Sequence, residues 1–149
     1  MYGIVVVAFA GWLMVGWMGM SARQIETQQI AVKGESDALN FLNYREAVVR
    51  YLNTNAMNNG VVSDASLTWN AGFIRDSRWT NVVVSKVLYV YSVSVPTPAL
   101  VNAVSVKTWK AQTIGTKDAS GDLKTTTGQT IAMSLPVAIP TGALVYVGK

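Results

Sequence analysis

Residues Tyr2 to Met20 (YGIVVVAFAGWLMVGWMGM) carry no charged side chain, and no other feature constrains this chain's fold so strongly. At the helical rise they reach roughly 28 Å, close to the ~30 Å hydrocarbon thickness of a bilayer. A helix satisfies its own backbone hydrogen bonds in lipid, so one transmembrane span is the direct expectation. Tyr2 and the Trp17 to Met20 end then fall near the two interfaces, where aromatic rings are enriched. A cleaved signal peptide is the competing reading, with Gly19-Met20-Ser21-Ala22 as its processing site. It lacks the usual basic n-region, so a retained anchor is favoured. On a helical projection Ala8, Gly11, Gly16 and Gly19 share one broad side, a candidate packing face for a membrane partner or an oligomer. Glycine is also simply common in membrane helices, so the two readings stand level.

The polar remainder excludes much chemistry. The sequence has no cysteine and no histidine. Disulfides, thiolate metal sites, thiol nucleophiles and the commonest general base are therefore absent. A net charge of +4 is a mild bias, without the basic stripe that a nucleic-acid surface needs.

After the apolar run, Ser21 to Lys33 is polar but free of Pro and Gly. The spacing predicts that the anchor helix continues outward and ends at Lys33-Gly34, with glycine in a left-handed cap. A second helix is then predicted from an N-cap at Ser36 or Asp37 to about Thr54. Its apolar side carries Ala38, Phe41, Leu42, Val48, Val49 and Leu52. Glu46 and Arg50 stand four apart in the favourable order. Arg45 interrupts the apolar side; its stem packs while its head snorkels to the edge, or it is a paired charge at an interface.

Beyond the turn-rich Asn53 to Gly60, Val, Thr, Ser and aromatics alternate near period two. Trp79 to Val95 reads as one long strand with a bend near Ser85-Lys86. Thr97-Pro98 opens a short helix, although Val104 to Lys110 also alternates as a strand would. Ile114 to Asp118 and Leu123 to Thr127 flank a hairpin turn, Gln129 to Leu135 and Ala143 to Val147 are further strands, and Pro136 and Pro140 bracket an extended piece. The expected fold class is α+β: an N-terminal transmembrane helix, an amphipathic helix and a small antiparallel β-rich domain. The expected division is an anchor at 1–21, a helical extension and packing helix at 22–54, and a β-rich part at 55–149 that forms one domain with 36–54.

Catalytic signals are weak. No phosphate-binding, dinucleotide-binding or nucleophile-elbow motif occurs. Ser85 and Lys86 are adjacent on an expected strand and so point to opposite faces, poor geometry for a Ser–Lys dyad. Asp118 and Asp122 read as turn residues, since their spacing does not suit a calcium loop. Lys107, Lys110, Lys117 and Lys124, with Trp109 among them, read as a solvated sheet face. Arg75 and Arg78 near Trp79 and Trp69, together with Arg45, form a candidate protein-contact patch, because Trp and Arg are enriched at binding hot spots; Arg75 and Arg78 read equally as a capped core edge. No catalytic residue, metal site or cofactor is expected.

The start MYGIVVVAFAGWLMVGWMGM, the segment Arg23 to Gln29 (RQIETQQ) and the segment Asn43 to Leu52 (NYREAVVRYL) resemble the PilM family of conjugative thin pili, a type IV pilus system. The likeness is one of overall pattern across the chain. It implies a single-pass bacterial inner-membrane protein of the pilin transport apparatus or pilus basal body, with its β-rich domain in the periplasm. Its partners would be other pilus-assembly proteins or pilin. Arg23, just after the span, argues the other way by the positive-inside rule, but large domains translocate largely regardless of charge. A minor pilin is the alternative. A prepilin has a basic leader and a Glu five residues into its apolar run, whereas the first carboxylate here is Glu26. A membrane-tethered Ser/Lys hydrolase is the remaining reading.

Overall fold

A computed structural model describes the backbone of residues 2–148 and the side chains of 24–148. The proposed span and its Ala8, Gly11, Gly16 and Gly19 face lie outside the described side chains. Among the described residues no helix is long and apolar enough to cross a membrane.

One helix, α1 (Tyr2–Thr54), replaces the two expected. The predicted cap at Gly34 and N-cap at Ser36 or Asp37 do not form. Gly34 is buried inside the helix, against the second helix, α2 (Pro98–Lys107). A Cβ at Gly34 would meet the Ala99 carbonyl carbon at 2.9 Å and its Cβ at 3.0 Å. Glycine stands there because the two helices touch, a close-approach role that looks the same in sequence as a cap. α2 starts where Thr97-Pro98 predicts: the Thr97 hydroxyl accepts from Leu100 N–H, and Pro98 fills the first turn. The rival strand over Val104 to Lys110 is absent, because Leu100 and Val104 are needed on the buried side of this helix.

The strands are β1 (Trp79–Val84), β2 (Val87–Ser92), β3 (Ile114–Lys117), β4 (Leu123–Thr125), β5 (Thr130–Ile131) and β6 (Leu144–Gly148). They form one antiparallel six-stranded sheet in the order β1-β2-β6-β3-β4-β5. The expected long strand is a hairpin: Val84 pairs with Val87 around a two-residue turn. Ser85 (φ +51°) and Lys86 (φ +69°) are both left-handed, as the tight turn between twisted strands requires. Neither residue advertises that conformation. It is held from outside, since Ser85 N–H donates to Asn59 Oδ1 and Lys86 N–H to the Asn58 carbonyl, both at 2.9 Å. The turn-rich stretch after α1 thus does more than end a helix. Gly60 also pairs with Val83 and covers part of the β1 edge.

Alternation assigns the faces correctly. Leu88 and Val90 point to the helices, while Val87, Tyr89 and Tyr91 point away. The helical face packs on Ala38, Phe41, Tyr44, Ala47 and Val48 of α1 and on Leu100 and Val104 of α2. Leu42, Val49 and Leu52 join as half-buried neighbours. The opposite face is covered by the segment that follows β5, through Met133, Leu135 and Ile139. Only Thr130–Ile131 of the expected Gln129 to Leu135 strand pairs; the rest crosses the sheet instead of joining it. Pro136 and Pro140 flank a turn, with Ile139 N–H donating to the Pro136 carbonyl at 3.1 Å, where an extended piece was expected.

Substituting Gly34→Ala tests the close approach. Removing a mid-helix glycine favours the helix by about 1 kcal/mol. Wedging a methyl against packed backbone costs about 1–3 kcal/mol. The clash should win, so the thermal midpoint of the full chain should fall by a few degrees. A raised midpoint would contradict the packing.

Candidate functional site

Of the sequence-derived patch, Arg75, Arg78 and Trp79 fall along the seam where α1 meets β1 and the 60–79 segment, while Arg45 lies against Tyr146 of β6. Trp79 is 1% exposed, as the core-edge reading has it and not the contact patch. Its alternation with Asn81 and Val83 puts all three on the helical face of β1. The ring meets Phe41 edge to face at 5.2 Å, and Nε1 donates to Asn40 Oδ1 at 2.9 Å. Asn40 Nδ2 in turn donates to the Ile74 carbonyl, so one amide ties the helix to both strand and loop.

Arg78 closes the upper end of this seam. Its guanidinium holds both oxygens of Asp37 on α1, Nη1 to Oδ2 at 3.0 Å and Nη2 to Oδ1 at 2.6 Å. Nε also donates to Asp76 Oδ2 at 2.8 Å. Such forked contacts are the strong form of a charge pair. Hydrogen bonds from Arg78 hold the Asp76 carboxyl below the usual aspartate range. The two carboxylates, Asp37 first, reinforce the arginine's own charge. Arg75 lies with Nε 2.7 Å from Asp64 Oδ2 and donates through Nη2 to the Trp79 carbonyl at 2.9 Å.

Beneath them sits Asn81, a polar residue 1% exposed in an apolar core. Its Oδ1 accepts from Val62 N–H at 2.8 Å, and its Nδ2 donates to the Tyr44 hydroxyl at 2.8 Å and to the Val62 carbonyl at 3.0 Å. A buried amide so completely satisfied fixes the register of helix, loop and strand. Burial raises the Tyr44 hydroxyl above its ordinary range, which keeps it a neutral partner for this amide.

Arg45 differs from the other two. Its guanidinium carbon lies 4.8 Å from the centre of the Tyr146 ring, and it makes no ion pair among the described residues. Arg45 is half-buried and sets its cation over an aromatic face, and is not a paired charge among the described residues. Arg75 and Arg78 are engaged inside the chain, and Trp79 is unreachable.

The lysine cluster is divided by the fold and is no single sheet face. Lys117 Nζ donates to the carbonyls of Pro136 and Ile139, at 3.0 and 2.9 Å, and so pins the covering segment. Lys124 is exposed on β4, while Lys107, Trp109 and Lys110 lie at the C-terminal end of α2. Asp118 serves its turn: Oδ1 accepts from Ser120 Oγ at 2.7 Å and from Asp122 N–H at 2.9 Å. These contacts lower its titration range, that from Ser120 first. Among the described residues no group of His, Cys, Asp or Glu is placed to hold a metal ion.

A long helix packed with a short one on an antiparallel sheet, stitched by arginine–carboxylate and amide contacts, defines a small α+β packing module. The PilM family model matches residues 7–147, and the chain belongs to the PilM family, whose members take part in pilus biogenesis. No curated protein matches the chain. Among solved structures, a protein assigned as PilM from Escherichia coli B7A is similar, with a TM-score of 0.62 and 19% identity, over 78% of this chain and 92% of that one. A protein assigned as PilM from Pseudomonas aeruginosa 2192 aligns with a TM-score of 0.48 and 26% identity, over 77% and 94% of the two chains.

The Arg78 network has a pH signature. Unfolded aspartate titrates near about 3.9, and folded Asp76 lies lower. Its contribution is therefore complete above about pH 4 and is lost as pH falls through the folded value. Asp76→Asn should cost about 1 kcal/mol at pH 7 and flatten the acid limb of stability below about pH 4. Urea unfolding at several pH values would show this; an unchanged acid limb would contradict it.

Proposed function

We propose that this chain is a non-enzymatic, single-pass inner-membrane component of a type IV, conjugative thin-pilus apparatus, in its basal body or pilin transport machinery. The β-rich domain faces the periplasm and acts through protein–protein contacts. Membership in the PilM family supports the pilus setting. The observation that carries the mechanical part is the continuity of α1. The same helix whose residues Ala38 to Leu52 build the core carries, at its other end, the uncharged Tyr2 to Met20 stretch. An anchor joined to its domain by a helix without a hinge sets the domain's height and rotation above the bilayer. Residues 24–33 hold it about 15 Å out at the helical rise. A protein that positions partners gains from such a mount, whereas an enzyme acting on soluble substrate does not need one.

A minor pilin is the second reading, because pilins also join an apolar helix to an α+β head. The two separate by fractionation. As an assembly component the chain should stay with the inner membrane when pili are sheared off and purified. Recovery in the pilus fraction, at a ratio to pilin that survives repeated purification, would favour the pilin reading.

Orientation is tested by protease treatment of spheroplasts. The domain should be digested when protease is added from outside, leaving a short membrane fragment. A full-length chain, digested only after the membrane is opened, would contradict the periplasmic placement.

A further inference from the structure

Of all the asparagines in the chain, Asn59 alone is followed by glycine. That pairing is chemically labile, because glycine has no side chain to shield its backbone nitrogen or to restrict its approach to the preceding amide. In water the Gly60 nitrogen attacks Asn59 Cγ. The N–Cγ bond forms, the Cγ–Nδ2 bond breaks, and Nδ2 leaves as ammonia with the Gly60 proton. Water then opens the five-membered imide. Cleavage of the new N–Cγ bond yields aspartate. Cleavage at the Asn59 backbone carbonyl yields isoaspartate, in which the main chain runs through one extra carbon.

In the folded chain both reacting groups are occupied. Gly60 N–H donates to the Val83 carbonyl at 2.9 Å, and Val83 N–H donates back to the Gly60 carbonyl at 2.7 Å. Asn59 Oδ1 accepts from Ser85 N–H at 2.9 Å. The imide forms only when the Gly60 nitrogen loses its proton and turns onto Cγ, so these bonds must break first. Little else holds the segment. Asn58, Asn59 and Gly60 are exposed. Met57 is half-buried against the core, with its sulfur 3.7 Å from where a Cβ on Gly60 would stand. A segment held at a sheet edge by a few hydrogen bonds opens locally, without unfolding of the sheet.

We infer that Asn59 is a deamidation site masked by the clamp it builds, so that opening of the 55–60 segment is converted into a permanent chemical mark. The clamp holds the β1–β2 turn, where Ser85 and Lys86 are both left-handed without glycine's freedom. Isoaspartate lengthens the main chain between Asn58 and Gly60. The Lys86–Asn58 and Val83–Gly60 bonds then no longer form in register. Aspartate keeps an acceptor for Ser85 but sets a negative charge there. Opening is reversible, whereas the marked clamp does not re-form. The exposed Asn53, Asn55 and Asn70 are followed by Thr, Ala and Ala, whose side chains hinder the same attack. This inference concerns the segment after α1 and is independent of the pilus reading.

The test incubates the full chain in detergent at mildly alkaline pH and follows each asparagine by peptide mass mapping, folded and in urea. In urea, Asn59 should convert ahead of every other asparagine. Folding should slow that conversion by about tenfold or more, the protection that a pair of hydrogen bonds gives. Met57→Ala loosens the segment without touching the clamp or the sheet. It should raise the folded rate several-fold while the thermal midpoint falls by only a few degrees. In chain enriched for isoaspartate, the Ser85 and Lys86 amides should exchange with solvent about tenfold faster or more. The Leu144 amide, held by Ser92 Oγ at 3.0 Å, should keep its protection. Equal rates in folded and unfolded chain, earlier conversion elsewhere, a Met57→Ala rate equal to that of wild type, or turn amides still protected beside isoaspartate would each overturn the inference.

Discussion

The fold rests on the packing of α1 along the sheet, and that packing is set by how closely α1 can approach its neighbours. At Gly34 the absence of a side chain lets α1 lie against the Ala99 backbone. From Ala38 onward, Phe41, Tyr44 and Val48 press into β1, β2 and α2. Each step of the helix is therefore answered by a different partner: α2 at Gly34, Arg78 at Asp37, Trp79 at Asn40 and Asn81 at Tyr44. Apolar burial supplies the driving force. The polar contacts supply register, since sliding the helix by one turn would part Asp37 from Arg78, Asn40 from Trp79 and Tyr44 from Asn81 in a poorly solvated seam.

Continuity of the helix gives this seam a consequence outside the domain. A break at Gly34 would leave the core intact and let it swivel on its N-terminal segment. An unbroken helix instead couples the orientation of the sheet to that of the apolar segment. Residues 24–33 are largely exposed, with Ile25, Ile30 and Val32 in solvent. Their helicity is propagated from the packed part of α1 and not driven by burial along their own length.

Periodicity made the elements legible. The apolar side of the packing helix, the start of α2 at Thr97-Pro98 and the alternation of Leu88 and Val90 against Tyr89 and Tyr91 were all readable. What failed were positions whose residue type serves two physical roles. Glycine at 34 suits a cap or a close approach, and only a partner more than sixty residues away decides between them. At Ser85-Lys86 a bend was readable but a tight turn was not, because the Asn58 and Asn59 clamp, and not the residue types, holds the turn. Trp79 looked like a hot spot because its neighbours are arginines. Those arginines are engaged within the chain, Arg78 by Asp37 of α1 and Arg75 by the nearby Trp79 carbonyl.

The central claim is that one rigid helix runs from the polar extension into the core. It is tested most directly by pulsed electron–electron spin spectroscopy on the full chain, labelled at exposed Ile25 and Leu39. A continuous helix separates their backbones by about 21 Å, with one narrow distance distribution, in detergent and in bilayers alike. A broad distribution, or one centred well below that distance, would mean that the helix breaks near Gly34 and that the domain swings freely on its N-terminal segment.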